Sequence, residues 1–150
     1  MRKLLISWLY FLGVAHFLCG VGMTWFSEYP WLADYHATVL RLFYLDAAVW
    51  EVKALQVWWV SLFGATLQAF SLFMLLLIYL GDRFHLQAVW LGLAVVILVW
   101  APQDIFISVQ KYAWLHLWVD LAAVCAIVPP SIYLWWLDRT RQHKESFNGE

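Results

Sequence analysis

Residues 54–81 read ALQVWWVSLFGATLQAFSLFMLLLIYLG and contain no Asp, Glu, Lys or Arg, although charged residues stand on both sides at Lys53 and Asp82. A helix rises about 1.5 Å per residue, so roughly 20 apolar residues cross a hydrocarbon core of about 30 Å. This stretch is longer than that minimum. It therefore predicts a helix that spans a membrane.

Three other segments have the same character, and the last of them contains a single charged residue, Asp120. The chain is 65% hydrophobic and only 13% charged, which excludes an ordinary soluble domain. We predict an all-α integral membrane protein with one membrane domain over residues 1–150, built as a four-helix antiparallel bundle. The predicted spans cover about residues 4–25, 54–80, 85–101 and 112–137, with a cytoplasmic tail at 138–150.

The connection between the first two spans has an apolar pattern of its own. Trp31, Tyr35 and Val39 recur at helical spacing, and Pro30 just ahead of them is typical of a helix start. The pattern predicts an amphipathic helix over about residues 31–46 at the outer membrane interface. The alternative is that the second span begins early and projects outward, because no Pro or Gly interrupts the chain after Pro30 until Gly64.

Prolines predict where two of the spans are interrupted. Pro102 lacks an amide donor and disfavours helical geometry in the preceding residue, so the third span is expected to end near residue 101. The apolar residues 105–110 then form a kinked extension or a re-entrant turn that stays near the membrane. Pro129 and Pro130 predict a kink in the fourth span.

Basic residues indicate the orientation of the chain, because Lys and Arg collect on the cytoplasmic side of membrane proteins. One set of span ends carries Arg2, Lys3, Arg83, Arg139, Arg141 and Lys144, and the opposite set is net acidic. We therefore expect both termini in the cytoplasm, in a membrane of the bacterial cytoplasmic (inner) type. No small-x-small cleavage site follows the first apolar run, so we expect an uncleaved first helix rather than a signal peptide.

Asp120 is the residue most in need of an explanation, because it lies within a predicted span. By insertion scales, placing a charged side chain in the hydrocarbon core costs roughly 3 kcal/mol of free energy. His116 lies four residues earlier and shares one helix face with it. His16 reaches a similar depth on the first span, so the two spans could pair His16 with Asp120. These three residues are the catalytic candidates, although none of them has an assigned reaction. The alternative is a purely structural role, in which Asp120 and His116 only satisfy each other's hydrogen-bonding groups.

Other polar residues could gather above Asp120 in an acidic funnel that opens outward. With Asp120, His116 and His16, the predicted ligand-binding or partner-binding set contains Gln56, Asp104, Glu51, Asp46 and His36. We predict no metal site and no cofactor, because these residues show no metal-ligand spacing and the chain contains no P-loop, dinucleotide or hydrolase motif. The short basic tail is too small to bind nucleic acid.

Two classes of function remain open from the sequence. The favoured one is a non-enzymatic subunit or accessory component that docks a partner or a lipid through its helical faces and outer polar site. The alternative is an intramembrane enzyme or carrier for a small amphipathic substrate, in which Asp120 and His116 handle a proton. Small residues such as Gly20 let helices approach closely, and a bundle of four helices exposes much of its perimeter. We therefore expect membrane lipid, further copies of the chain or other membrane subunits as partners.

Overall fold

The computed structural model describes the backbone of residues 1–44 and 50–147, and the side chains of residues 1–44 and 50–141. All secondary structure in these ranges is helical. The elements are α1 (Arg2–Trp25), a 3-10 turn (Pro30–Leu32), α2 (Ala33–Tyr44), α3 (Trp50–Phe84), α4 (Gln87–Gln110) and α5 (Trp114–Phe147). Helices α1, α3, α4 and α5 are each long and apolar enough to cross a membrane. The predicted helical membrane bundle with four spans is confirmed.

The four spans form two antiparallel pairs. Helix α1 packs along α3, which we call the first pair, and α4 packs along α5, which we call the second pair. Contact between the two pairs is much sparser than contact within each pair. We call the end of the bundle that holds Arg2, the α3–α4 turn and Asp138 the termini end. The opposite end, which holds α2 and the α4–α5 turn, is the connector end.

Two glycines bring the helices of the first pair together. A Cβ atom added to Gly20 would lie 2.7 Å from the carbonyl oxygen of Gly64, and one added to Gly64 would lie 2.7 Å from that of Gly20. The backbones therefore approach so closely that neither position has room for a side chain. The Thr24 hydroxyl donates to the carbonyls of Gly20 and Ser61, at 2.9 and 3.2 Å, so the same crossing is also hydrogen-bonded.

The apolar core that joins the two pairs is confined to the half of the bundle near the termini end. Its fully buried members come from the first third of α1, the last third of α3, the first half of α4 and the later part of α5. They are Ile6, Leu9, Met74, Ile78, Trp90, Leu93, Ala94, Ile97, Ile127, Val128 and Leu134. In the connector half, buried residues include Gly20 and Gly64 at the α1–α3 crossing, and Leu32 and Leu40 of the 3-10 turn and α2.

A tryptophan from α1 compensates for a proline in α5. Pro130 has no N–H, so the carbonyl of Ala126, four residues earlier, lacks its usual helical donor. The Trp8 indole N–H donates to that carbonyl oxygen at 2.9 Å. This bond links the first pair to the second. It also shows how α5 tolerates Pro129 and Pro130 within one helix.

Asp138 ties the bundle together at the termini end, and its side chain is only 2% exposed. The Trp90 indole donates to Oδ2 of Asp138 at 2.8 Å, and the Arg2 guanidinium donates to Oδ1 at 3.3 Å. Arg2 also donates to Asp82, and His85 Nδ1 lies 3.6 Å from Oδ1 of Asp138. The cluster therefore joins α1, α3, α4 and α5.

Several helix bounds differ from those expected. Helix α4 continues through Pro102 to Gln110, so the third span does not end near residue 101. The loss of one amide donor at Pro102 is tolerated, because a proline removes only the single bond to the carbonyl four residues back. Helix α5 runs on to Phe147, so most of the expected tail is helical.

Candidate functional site

Helix α2 bridges the two pairs at the connector end through two consecutive residues. Tyr35 reaches the second pair, where its hydroxyl lies 3.3 Å from Nε2 of His116 and its ring stacks on the imidazole. His36 turns toward the first pair, where its Nε2–H donates at 2.8 Å to the carbonyl of Ser27 in the loop after α1, and the Ser27 hydroxyl lies 2.8 Å from that of Ser61 in α3. Helix α2 therefore folds back over the bundle and does not project outward from α3.

A second contact holds α2 near the second pair. The ammonium group of Lys111, in the α4–α5 turn, lies 5.4 Å from the centre of the Phe43 ring. A cation above an aromatic face contributes about 0.5–1 kcal/mol at an exposed site. Together with the Tyr35–His116 contact, this cation–π contact holds both ends of α2 against the second pair.

Asp120 lies below this bridge, one helical turn deeper in α5 than His116. Its side chain is 2% exposed, which makes it the most buried ionisable group in the connector half of the described residues. Asp104 of α4 lies within hydrogen-bonding reach of it, and Asp104 is also the charged neighbour of Tyr35. The four side chains of Tyr35, His116, Asp104 and Asp120 thus form one cluster, which we call the carboxyl site.

The carboxyl site contains a buried oxygen that receives no hydrogen bond from the described residues. Atom Oδ2 of Asp120 is buried and has no hydrogen-bond partner among the described residues. Buried polar atoms are satisfied in the great majority of cases, so an unpaired carboxylate oxygen at this depth needs an explanation.

Tyr35 acts in this cluster as a neutral hydrogen-bond donor. Burial and the nearby Asp104 carboxyl both raise the pKa of the Tyr35 hydroxyl above its ordinary value. The hydroxyl therefore stays protonated throughout the physiological range. It can donate to Nε2 of a neutral His116, and His116 in turn covers one face of the Tyr35 ring.

The polar network extends from α2 into the first pair. The Ser27 and Ser61 hydroxyls lie 2.8 Å apart, and the amide of Gln68 donates to Thr24 and to the carbonyl of Gly20, at 2.9 and 3.2 Å. These groups satisfy one another. They stabilise the α1–α3 crossing.

His16 does not pair with Asp120, so that expectation is wrong. The Nδ1–H of His16 donates to the carbonyl of Leu12 at 2.8 Å, one turn earlier in its own helix. No ion pair joins His16 to Asp120 within the part of the chain that the structure describes. Counting residues gives the depth of His16 along α1, but it cannot determine the rotation of α1 about its axis. Helix α1 packs mainly against α3.

His116 and Asp120 do not satisfy each other either. Residues four apart on a helix share a face, but their side chains each find a different partner: Tyr35 for His116 and Asp104 for Asp120. Sequence reasoning placed His36 and Asp104 in the same group of polar residues. It included Tyr35 only in the apolar pattern of α2 and missed it as the link between them.

The remaining candidates lie apart from the carboxyl site. Glu51 is exposed at the start of α3. Gln56, one turn and a half later, has both amide atoms buried without a partner among the described side chains, and the Nδ1 atom of His36 is in the same state. No described contact joins Gln56 to Asp120. Asp46 lies outside the described residues.

The side chains of the carboxyl site suit an organic cation or another hydrogen-bond donor better than they suit a metal ion. Within residues 1–44 and 50–141, no three His, Cys, Asp or Glu side chains converge as metal ligands. The site offers two carboxyl groups, one imidazole already bonded to Tyr35, and one unpaired oxygen. Comparison of the chain with known protein families, with characterised proteins and with solved structures found no match.

Proposed function

We propose that the protein is a non-enzymatic membrane component that binds a membrane lipid in the connector half, between the two helix pairs and beneath α2. One observation carries this proposal: the main cluster of buried apolar residues that joins the pairs lies near the termini end. In the connector half, the described bonds between the pairs run through α2, at Tyr35 and His36. A bundle joined in this way can admit a ligand between its pairs without disrupting its core.

The chemistry of the connector half favours a lipid over a soluble ligand. The carboxyl site supplies polar groups at one level, and apolar side chains cover the helices around and below it. Large apolar residues of α5 at this level, such as Leu115, Trp118 and Val119, are more than half exposed. A molecule that carries a polar headgroup and an acyl chain can contact both kinds of surface at once.

A photoactivatable lipid tests the proposal. We expect a phospholipid with a diazirine near its headgroup to label α2 and the first part of α5 in the reconstituted protein. An excess of the same lipid without the diazirine should reduce this labelling, because a site is saturable. Labelled peptides are identified by mass spectrometry after proteolysis.

A matched pair of variants assigns the labelling to the bridge. Combined Tyr35→Ala and His36→Ala substitutions should lower the competed labelling, since they remove the two hydrogen-bonded contacts through which α2 bridges the pairs. Thr38→Ala, an exposed position on the same helix, should leave the labelling unchanged. Even labelling of all spans without competition would overturn the proposal. Cross-linking of this region to a second protein in native membranes would instead support partner docking.

The contact between Asp104 and Asp120 favours one second candidate, a carrier or enzyme that moves a proton with its substrate. Two carboxyl groups that share a proton can release or accept it when a substrate arrives. Substrate turnover or proton uptake by the reconstituted protein, lost in Asp120→Asn, would favour this candidate. Saturable lipid binding without turnover would favour the first.

We also propose that the protein lies in a bacterial inner membrane and that its termini end faces the cytoplasm. Arg2, Lys3, Arg83, Arg139 and Arg141 all lie at that end, and short segments rich in Lys and Arg remain on the cytoplasmic side. A reporter that is active only in the cytoplasm should work when fused after residue 150. Activity there of a reporter that requires export would reverse the orientation.

A further inference from the structure

The acceptor atoms of the carboxyl site determine which headgroup it can bind. Atom Oδ2 of Asp120 is buried and has no hydrogen-bond partner among the described residues, and its residue is 2% exposed. Asp104 lies within hydrogen-bonding reach of Asp120, at a depth where few water molecules are available to solvate a carboxyl group. A ligand that pairs with Oδ2 must provide a hydrogen-bond donor, and a positively charged donor forms the strongest hydrogen bond to a carboxyl oxygen.

Among the described residues, no group donates a hydrogen bond to Oδ2 of Asp120. The Lys111 ammonium lies over the Phe43 ring, and Arg2 contacts acids at the termini end. His116 is engaged with Tyr35. A buried charge without a partner is costly, whereas a charge-assisted hydrogen bond to it contributes about 1.5–3 kcal/mol.

We propose that the carboxyl site binds a primary ammonium group, carried into the connector half on an amphipathic molecule. A primary ammonium has three N–H donors, one for Oδ2 of Asp120 and others for Asp104 and for water. A quaternary ammonium has the same charge but no N–H, so it would leave that buried oxygen unpaired. The inference rests on the proposed lipid-binding function and adds the chemical class of the headgroup.

Two kinds of molecule carry this group in a membrane. An aminophospholipid presents it on an ethanolamine headgroup, and a single-chain amine presents it directly on an alkyl chain. The carboxyl site recognises the ammonium group that both share. The experiment therefore needs a primary and a quaternary member of each kind with matched chains.

The experiment measures competition against the photoactivatable lipid described above. The four competitors are phosphatidylethanolamine and phosphatidylcholine with identical acyl chains, and dodecylamine and dodecyltrimethylammonium. We expect each primary ammonium compound to compete at least about tenfold better than its quaternary counterpart, as the loss of one charge-assisted hydrogen bond predicts. Whichever primary compound competes at the lower concentration identifies the source of the headgroup.

Substitutions assign the preference to the site. Asp120→Asn should remove the difference between primary and quaternary compounds, since it replaces the unpaired carboxyl group by a neutral amide of nearly the same shape. Asp104→Asn should do the same, and it serves if Asp120→Asn fails to fold. Asp34→Asn, an exposed acid on α2, should keep the wild-type preference.

The outcomes separate the two proposals. Equal competition by primary and quaternary compounds in the wild-type protein would overturn the ammonium inference and leave lipid binding intact. Absence of competition by any compound would overturn both. A preference that persists unchanged in both Asp120→Asn and Asp104→Asn would place the recognition elsewhere and overturn the inference.

Discussion

Replacement of Asp138 by alanine is expected to destabilise the protein by about 3 kcal/mol or more, because removal of one partner from a buried ionic cluster leaves the others unsatisfied. The Trp90 indole N–H would lose its acceptor, and Arg2 would keep only Asp82. Unfolding of the purified protein in mixed detergent micelles measures the change. A large drop in the midpoint is the expected result.

Asp82→Ala provides the matched control for this prediction. Its side chain is 41% exposed and its described contact is the bond to Arg2, so its loss should cost under about 1 kcal/mol. Both acids contact the same arginine, so the comparison separates the effect of burial on stability from the effect of charge. Equal effects of the two substitutions would show that Asp138 does not hold the termini end together.

Replacement of Gly64 by valine is expected to separate α1 from α3 and to destabilise the protein by about 2 kcal/mol or more, as overpacking of a tight contact does. Even the first carbon of the new side chain would lie 2.7 Å from the Gly20 carbonyl oxygen and 2.8 Å from Cβ of Met23. The Gly20 oxygen belongs to a helix backbone, so it cannot turn aside as a side chain could. The same unfolding assay measures the loss.

Gly92→Val serves as the control, because a Cβ atom at Gly92 meets no other atom within 4 Å. This substitution should change stability by less than about 0.5 kcal/mol, as is usual for exposed positions. Both variants place the same side chain on an apolar helix. If Gly92→Val proved as harmful as Gly64→Val, the effect would arise from valine in the helix and not from the crossing.

The spans and their number could be predicted from the sequence because hydropathy acts locally. A run of uncharged residues such as 54–81 is sufficient, whatever packs against it. Helix α2 was predictable for the same reason, since Trp31, Tyr35 and Val39 already give its period. The end of α4 was not, because Pro102 removes one bond but the neighbouring turns retain theirs.

The partners of buried polar groups could not be read from the sequence. Depth along a helix follows from counting residues, but rotation about the helix axis depends on packing with the neighbour. His16 lay at a plausible depth and yet bonds to Leu12. Asp138 stood at the expected end of a span, and nothing local indicated that Trp90 and Arg2 would converge on it.

The apolar core makes the termini end rigid, whereas in the connector half α2 links the two helix pairs. Tyr35 and His36 are neighbours in one turn of α2, and each makes a contact on a different side of the bundle. A change in the spacing of the two pairs would therefore strain or break at least one of these contacts, so α2 at the membrane surface is mechanically coupled to the space between the pairs.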